Sequence, residues 1–163
     1  MARRLRRGDT LRAFSVIRAT PAQVFAVVSD PTRFPEWSPE CRRVKWLDDT
    51  HFAGHNKRRL AKWKTKARVE VNEPDAEFRF TIDLLGKDFT NWAYLVEPHA
   101  DGAMLTEEFT MCMDLPVVVQ AFERTTMQVP DRRADLQDNI DRCVATIREI
   151  VEREAAEGAA AAE

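Results

Sequence analysis

Glu107 is the residue of this sequence with the clearest capacity for chemistry. It falls in the run Ala103–Met113, where Leu105, Phe109 and Met111 share one parity and Glu107 shares it with them. A carboxyl on an apolar wall is costly to ionise. Its pKa rises, and it can then give or take a proton near neutrality. The competing arrangement, which the sequence favours by a small margin, places Glu107 at a sheet rim or pairs it with an arginine such as Arg59. Tyr94 is the second candidate, because a phenol donates a hydrogen bond or a proton. Trp63, Trp92, Phe80, Phe109 and Met111 are of the type that walls an apolar cavity. Trp63 serves equally as core packing, and for Trp92 and Tyr94 core packing or an outward-facing ladder is the slightly commoner role. Trp37 can close a pocket mouth or plug a short helix into place. Asn56 can orient a carbonyl or hydroxyl, although an amide bracing a strand bend beside Gly54 is the commoner role.

His51 and His55 do not suggest a metal. Their surroundings read as strand, where four residues span roughly 13 Å, too far for one ion to bridge. The sequence lacks a glycine-rich phosphate loop, a nucleophile elbow and a CxxC pair. Neither a metal nor a cofactor is expected. Lys62, Lys64, Lys66 and Arg68 form a basic outer stripe on one strand. It is suited to an acidic partner, whether an acyl-carrier protein, an anionic lipid surface or RNA, although a solvated face is the commoner case. Nucleic acid is not expected, since no stacking aromatics interleave the stripe.

Candidate residues of this kind must be held by a frame. The chain has 163 residues, 44% of them hydrophobic, 32% charged, with a net charge of −2. One domain with a real core is expected, over residues 10–154, with flexible tails at 1–9 and 155–163. No apolar run approaches the roughly 20 residues needed to span a bilayer. The N-terminus has no signal-like apolar stretch, and three cysteines form no disulfide framework. A cytoplasmic protein, monomer or homodimer, is expected.

Lys62–Val71 alternates polar and apolar residues for ten positions, and Glu77–Leu84 repeats the pattern after Glu73-Pro74-Asp75. Together they predict an antiparallel hairpin with one wet face. Phe89–Glu97 and Ala103–Met113 predict a second. Leu11–Arg18 is a first strand, and Val44–Leu47 and His51–Lys57 are short ones. Thr20-Pro21 and Pro31–Glu36 open short helices. Pro116–Met127 is a helix or a mobile loop. Leu136, Ile140, Cys143, Val144, Ile147 and Val151 form one helical stripe, with Pro130-Asp131 at its start and Gly158 past its end. One greasy sheet face and one greasy helix face must pack together. This is an α+β domain in which a curved antiparallel sheet of six or seven strands wraps around a long C-terminal helix, with room for a ligand between them.

The residues Ala19-Thr20-Pro21-Ala22-Gln23-Val24-Phe25, Ser29-Asp30-Pro31 and Pro35-Glu36-Trp37-Ser38 resemble the opening of the START-like (SRPBCC) superfamily, in its polyketide cyclase/dehydrase and lipid-transport branch. Phe52-x-Gly54-x-Asn56, Trp63-x-Thr65, Glu73-Pro74, Phe78-x-Phe80, Trp92-x-Tyr94, Glu97-Pro98 and Leu105-Thr106-Glu107 resemble a bacterial group within that branch. The resemblance covers residues 10–152. It implies a helix-grip fold with an internal apolar pocket, and a carrier or sensor of a lipid, quinone or polyketide-like molecule. A cyclase, aromatase or dehydratase using Glu107 or Tyr94 is the alternative, and an interaction module using the basic stripe is a third. Fold alone does not choose among them.

Overall fold

The computed structural model describes residues 4–163. Seven strands form one antiparallel sheet: β1 (Thr10–Ile17), β2 (Cys41–Trp46), β3 (His51–Arg58), β4 (Ala61–Glu73), β5 (Glu77–Leu84), β6 (Lys87–His99) and β7 (Gly102–Met111). Their order is β1-β7-β6-β5-β4-β3-β2, so β2 to β7 run as a meander and β1 returns to pair with β7. Register irregularities between Cys41 and Arg43, Val69 and Val71, and Ile82 and Asp83 interrupt the ladder. Such bulges bend and twist a sheet, which lets this one curl around a helix. Gly102, with φ of +135°, closes the β6–β7 hairpin. A Cβ there would lie 2.3 Å from the Ile17 carbonyl oxygen, so no larger residue fits.

Between β1 and β2 lie α1 (Pro21–Val28) and a 3₁₀ helix (Pro31–Glu36). Thr20 and Gln23 form a reciprocal capping box at the start of α1, and Pro21 supplies a pre-set φ. Asp30 accepts from the Thr32 N–H at the second start, and Pro35 sits within that short helix.

The last helix, α3 (Arg132–Ala161), begins where expected, capped by Asp131 on the Ala134 N–H. It buries the predicted stripe, with Ile150 added. Each fully buried aliphatic of this kind contributes about 1.5–3 kcal/mol. Its end differs from expectation: the helix continues through Gly158 to Ala161. The flanking residues are mostly alanine, the strongest helix former, and offset one glycine's penalty of about 1 kcal/mol. Pro116–Met127 contains a helix, α2 (Val117–Thr125), that turns Val119, Phe122 and Glu123 inward. Of the N-terminal tail, residues 1–3 lie outside the described residues. Leu5 is buried, and the Gly8 N–H donates to the Met111 carbonyl at 2.8 Å.

Candidate ligand site

The concave face of the sheet and α3 do not meet everywhere. Between them lies a cavity of about 360 Å³, at the lower end of the range for small-molecule pockets. Trp63, Phe80, Trp92 and Phe109 line it, as do Met111, Asn56 and Trp37. The pocket candidates named from the sequence are therefore brought together. Trp92 and Tyr94 form no outward ladder. Tyr94 is buried, and Trp92 lies edge-on to Phe109 with ring centroids 4.9 Å apart. The α3 stripe adds Leu136, Ile140 and Cys143 to the wall, and α2 closes one end with Val119 and Phe122. Leu5 also reaches the cavity, a contact that nothing in its basic, aperiodic surroundings signals.

The wall carries one buried polar chain. The Trp37 indole N–H donates to the Tyr94 hydroxyl at 3.1 Å, and that hydroxyl donates to Oε1 of Glu107 at 3.3 Å. Strand register produces the second link. Tyr94 on β6 lies opposite Glu107 on β7, while the other neighbour of Glu107, on β1, is Ala13, which offers no polar side chain. Glu107 is only 3% exposed, and its Oε2 has no hydrogen-bond partner. Burial pushes its pKa up to about 8, against a smaller lowering by the Tyr94 hydrogen bond. At neutral pH it is a carboxylic acid. Burial likewise raises Tyr94 far above the ordinary phenol range and holds the proton on Cys143, whose thiol lies 3.4 Å from the Trp37 carbonyl oxygen. The expected pairing of Glu107 with Arg59 does not occur. Arg59 lies in the β3–β4 turn with φ of +51° and donates to Gln128 at 2.6 Å.

Gly54 has a packing role. A Cβ at that position would stand 2.7 Å from the Thr65 hydroxyl oxygen, which accepts from the Asn56 amide at 3.3 Å. Asn56 thus holds Thr65 across the β3–β4 pair while lining the cavity.

A charged cluster that the sequence did not disclose borders the cavity beside α2. Arg132 contacts Glu40 at 2.7 Å, Asp135 at 2.8 Å and Glu123 at 3.5 Å. Arg58 pairs with Glu40 and Asp135. The cluster ties β3 and the turn before β2 to α2 and α3. On the outer face, Lys62, Lys64 and Lys66 are exposed, whereas Arg68 pairs with Glu70 and Asp88.

A curved antiparallel sheet gripping a long helix over an apolar cavity defines a class of ligand-binding fold. A sequence model described as polyketide cyclase/dehydrase and lipid transport matches residues 10–148, and the chain belongs to that family. The structure is similar to a polyketide-cyclase-like protein, Cgl2372 of Corynebacterium glutamicum. The two are 30% identical over 89% of this chain and 92% of that one, with a TM-score of 0.60. It shares its fold with the di-domain ARO/CYC protein StfQ of the steffimycin biosynthetic pathway (14% identity, 93% of this chain, 51% of that one, TM-score 0.68). It also shares it with TTHA0849 of Thermus thermophilus (13% identity, 90% of this chain, 99% of that one, TM-score 0.65). Among curated proteins no match is found.

Proposed function

We propose that the protein binds a small, uncharged, mainly apolar molecule in this cavity, as a carrier or sensor, and anchors the molecule's one polar end on Glu107. A lipid, a quinone or a polyketide-like compound has this character. The observation that carries the reading is Oε2 of Glu107, a buried carboxyl oxygen without a partner at the wall of an apolar cavity. Buried polar atoms are rarely left unsatisfied without a reason. The donor chain Trp37 to Tyr94 to Oε1 runs in one direction, so a protonated Glu107 has its own O–H on Oε2 to donate. A ligand carbonyl is the natural acceptor. Arg132 at the cavity edge offers no free charge to an anionic ligand, because it is already held by acidic partners.

The raised pKa supports a second reading. An acid with a pKa of about 8 is well matched to proton transfer at neutral pH, as cyclisation or dehydration of a poly-carbonyl substrate requires. In that case Glu107 exchanges the proton and Tyr94 positions it. Glu107→Gln and Tyr94→Phe should then abolish turnover, and unchanged turnover in both would remove this reading.

Fluorescence titration with the neutral probe N-phenyl-1-naphthylamine, followed by displacement with duroquinone, tests the binding reading. Saturable one-to-one probe binding is expected. Glu107→Leu should weaken duroquinone by about tenfold or more, the value of one buried hydrogen bond, while Glu107→Gln retains a donor and most of the affinity. Absence of saturable probe binding, or equal displacement from wild type and Glu107→Leu, would overturn it.

A further inference from the structure

The two ends of the meander differ sharply in charge. The β2–β3, β4–β5 and β6–β7 hairpins lie at one end, with exposed Asp48, Asp49, Glu73, Asp75, Glu97 and Asp101 against the exposed cations Arg18 and Lys45. The β3–β4 and β5–β6 hairpins lie at the other end. There too are the start of β1 and the end of β7, which pair as Thr10 with Thr110. That end carries exposed cations from several elements: Arg4, Arg6 and Arg7 before β1, Lys57 and Arg59 at the β3–β4 hairpin, Lys62 and Lys64 just beyond it, Lys87 at the start of β6 and Arg124 on α2. The exposed acids of the same elements are Asp83, Asp88 and Asp114. In a chain of net charge −2 this polarity comes from arrangement and not from composition.

Four of the seven large apolar side chains that project into water among the described residues lie at the basic end; Trp46 and Leu47 lie at the acidic end and Phe14 midway along β1. Leu60 tips the β3–β4 hairpin and is 82% exposed; Leu85 tips the β5–β6 hairpin and is 93% exposed. Val117 and Val118 open α2 at 80% and 74%. The helix α2 crosses this end: Leu115 before it packs with Phe89 in one cluster, Phe122 within it lies edge-on to Trp63, and Gln128 beyond it bonds Arg59. The chain neighbours of these projecting residues, Leu84 and Val119, line the cavity. Aliphatic tips on three separate protrusions, set among lysines and arginines around the cavity's α2 end, suit a soft planar surface better than a grooved one.

We infer that this end docks on an anionic lipid bilayer, with Leu60, Leu85, Val117 and Val118 entering the interface and the basic residues meeting the headgroups. No helix among the described residues is long and apolar enough to cross a membrane, so the contact is peripheral. Interfacial binding of this kind combines buried apolar area with attraction to anionic lipid. The proposal deepens the reading of the cavity as a site for an apolar ligand, since such ligands partition into bilayers.

Co-sedimentation with vesicles tests it. The full chain should sediment with phosphatidylcholine vesicles containing phosphatidylglycerol about tenfold more strongly than with phosphatidylcholine alone, and high salt should weaken the binding. Leu85→Asp and Val117→Asp should each reduce binding severalfold, and Lys62→Glu with Lys64→Glu should do the same. Leu47→Asp, an exposed apolar position at the acidic end, should leave it unchanged. These positions are solvent-facing, and circular dichroism checks that each variant is folded. Absence of binding to anionic vesicles, or binding indifferent to Leu85→Asp and Val117→Asp, would overturn the proposal. So would capture of an acidic protein by the same lysines without vesicle binding. Probe binding measured in parallel separates the two readings, because its loss with vesicle binding intact would refute the cavity assignment alone.

Discussion

Replacing Glu107 with glutamine should stabilise the protein, and by an amount that depends on pH. An ordinary glutamic acid loses its proton near 4.5, whereas Glu107 keeps its own up to about 8. Across that window the folded protein holds a proton that the unfolded chain has released. The contribution of Glu107 to stability is therefore full below about pH 4.5 and declines as pH rises to about 8. At about 1.4 kcal/mol for each pH unit, the loss is roughly 1 kcal/mol at pH 5 and roughly 3 kcal/mol at pH 7. Tyr94 and Cys143, the titratable neighbours, stay protonated throughout and do not add to it. Glutamine keeps a hydrogen-bonding end and does not titrate. The stability of Glu107→Gln relative to wild type should rise by about 2–3 kcal/mol between pH 5 and pH 7, a difference of roughly 5–10 °C in Tm for a chain of this size. Denaturant unfolding of both proteins at several pH values measures it, and other titrating groups cancel in the comparison. A gap that stays constant from pH 5 to pH 8 would mean that Glu107 is not a neutral buried acid, and would remove the basis for its assigned role.

Tyr94→Phe removes the acceptor of the Trp37 indole and a donor to Glu107. It should destabilise the fold by about 1–2 kcal/mol in denaturant titrations. It should also move the Glu107 carboxyl to still higher pKa in a carbon-13 NMR titration, since the lost bond was the lowering contribution. Arg132→Met takes the ion-pair partner from the buried Glu123 and leaves Glu40 to Arg58 alone, and a loss of about 3 kcal/mol is expected by chemical denaturation. Gly54→Ala drives a methyl against the Thr65 hydroxyl and should lower stability by about 1–2 kcal/mol. Adding Thr65→Ala should recover most of that loss in a double-mutant cycle.

Much of the frame was legible because the core has two clean periods. The alternation of Lys62–Val71 appears as β4, and the Leu136–Val151 stripe is the buried face of α3. Parity offered Glu107 an inward place with Leu105, Phe109 and Met111, although a rim or arginine-paired place was favoured. What parity cannot supply is cross-strand register. Tyr94 meets Glu107 because of where the β6–β7 hairpin turns, and that depends on a turn at Ala100-Asp101 closed by Gly102. The favoured placement of Glu107, at the sheet rim or paired with an arginine such as Arg59, failed for the same reason: β7 lies between β1 and β6, and Arg59 belongs to a hairpin tip facing α2. The Glu40–Arg132 contact joins residues 92 positions apart through the curvature of the whole sheet, and no local pattern announces it. The segment Pro116–Met127 was ambiguous because Val117-Val118-Val119 carries no helical period, and α2 starts without a side-chain cap.

Native mass spectrometry of gently purified protein, followed by denaturing extraction of anything released, tests the central claim most directly. Wild type should retain one uncharged apolar molecule per chain, bearing a carbonyl or hydroxyl, and Glu107→Leu should lose it. An empty wild-type protein, or a molecule held equally by both, would contradict an apolar ligand site anchored on Glu107.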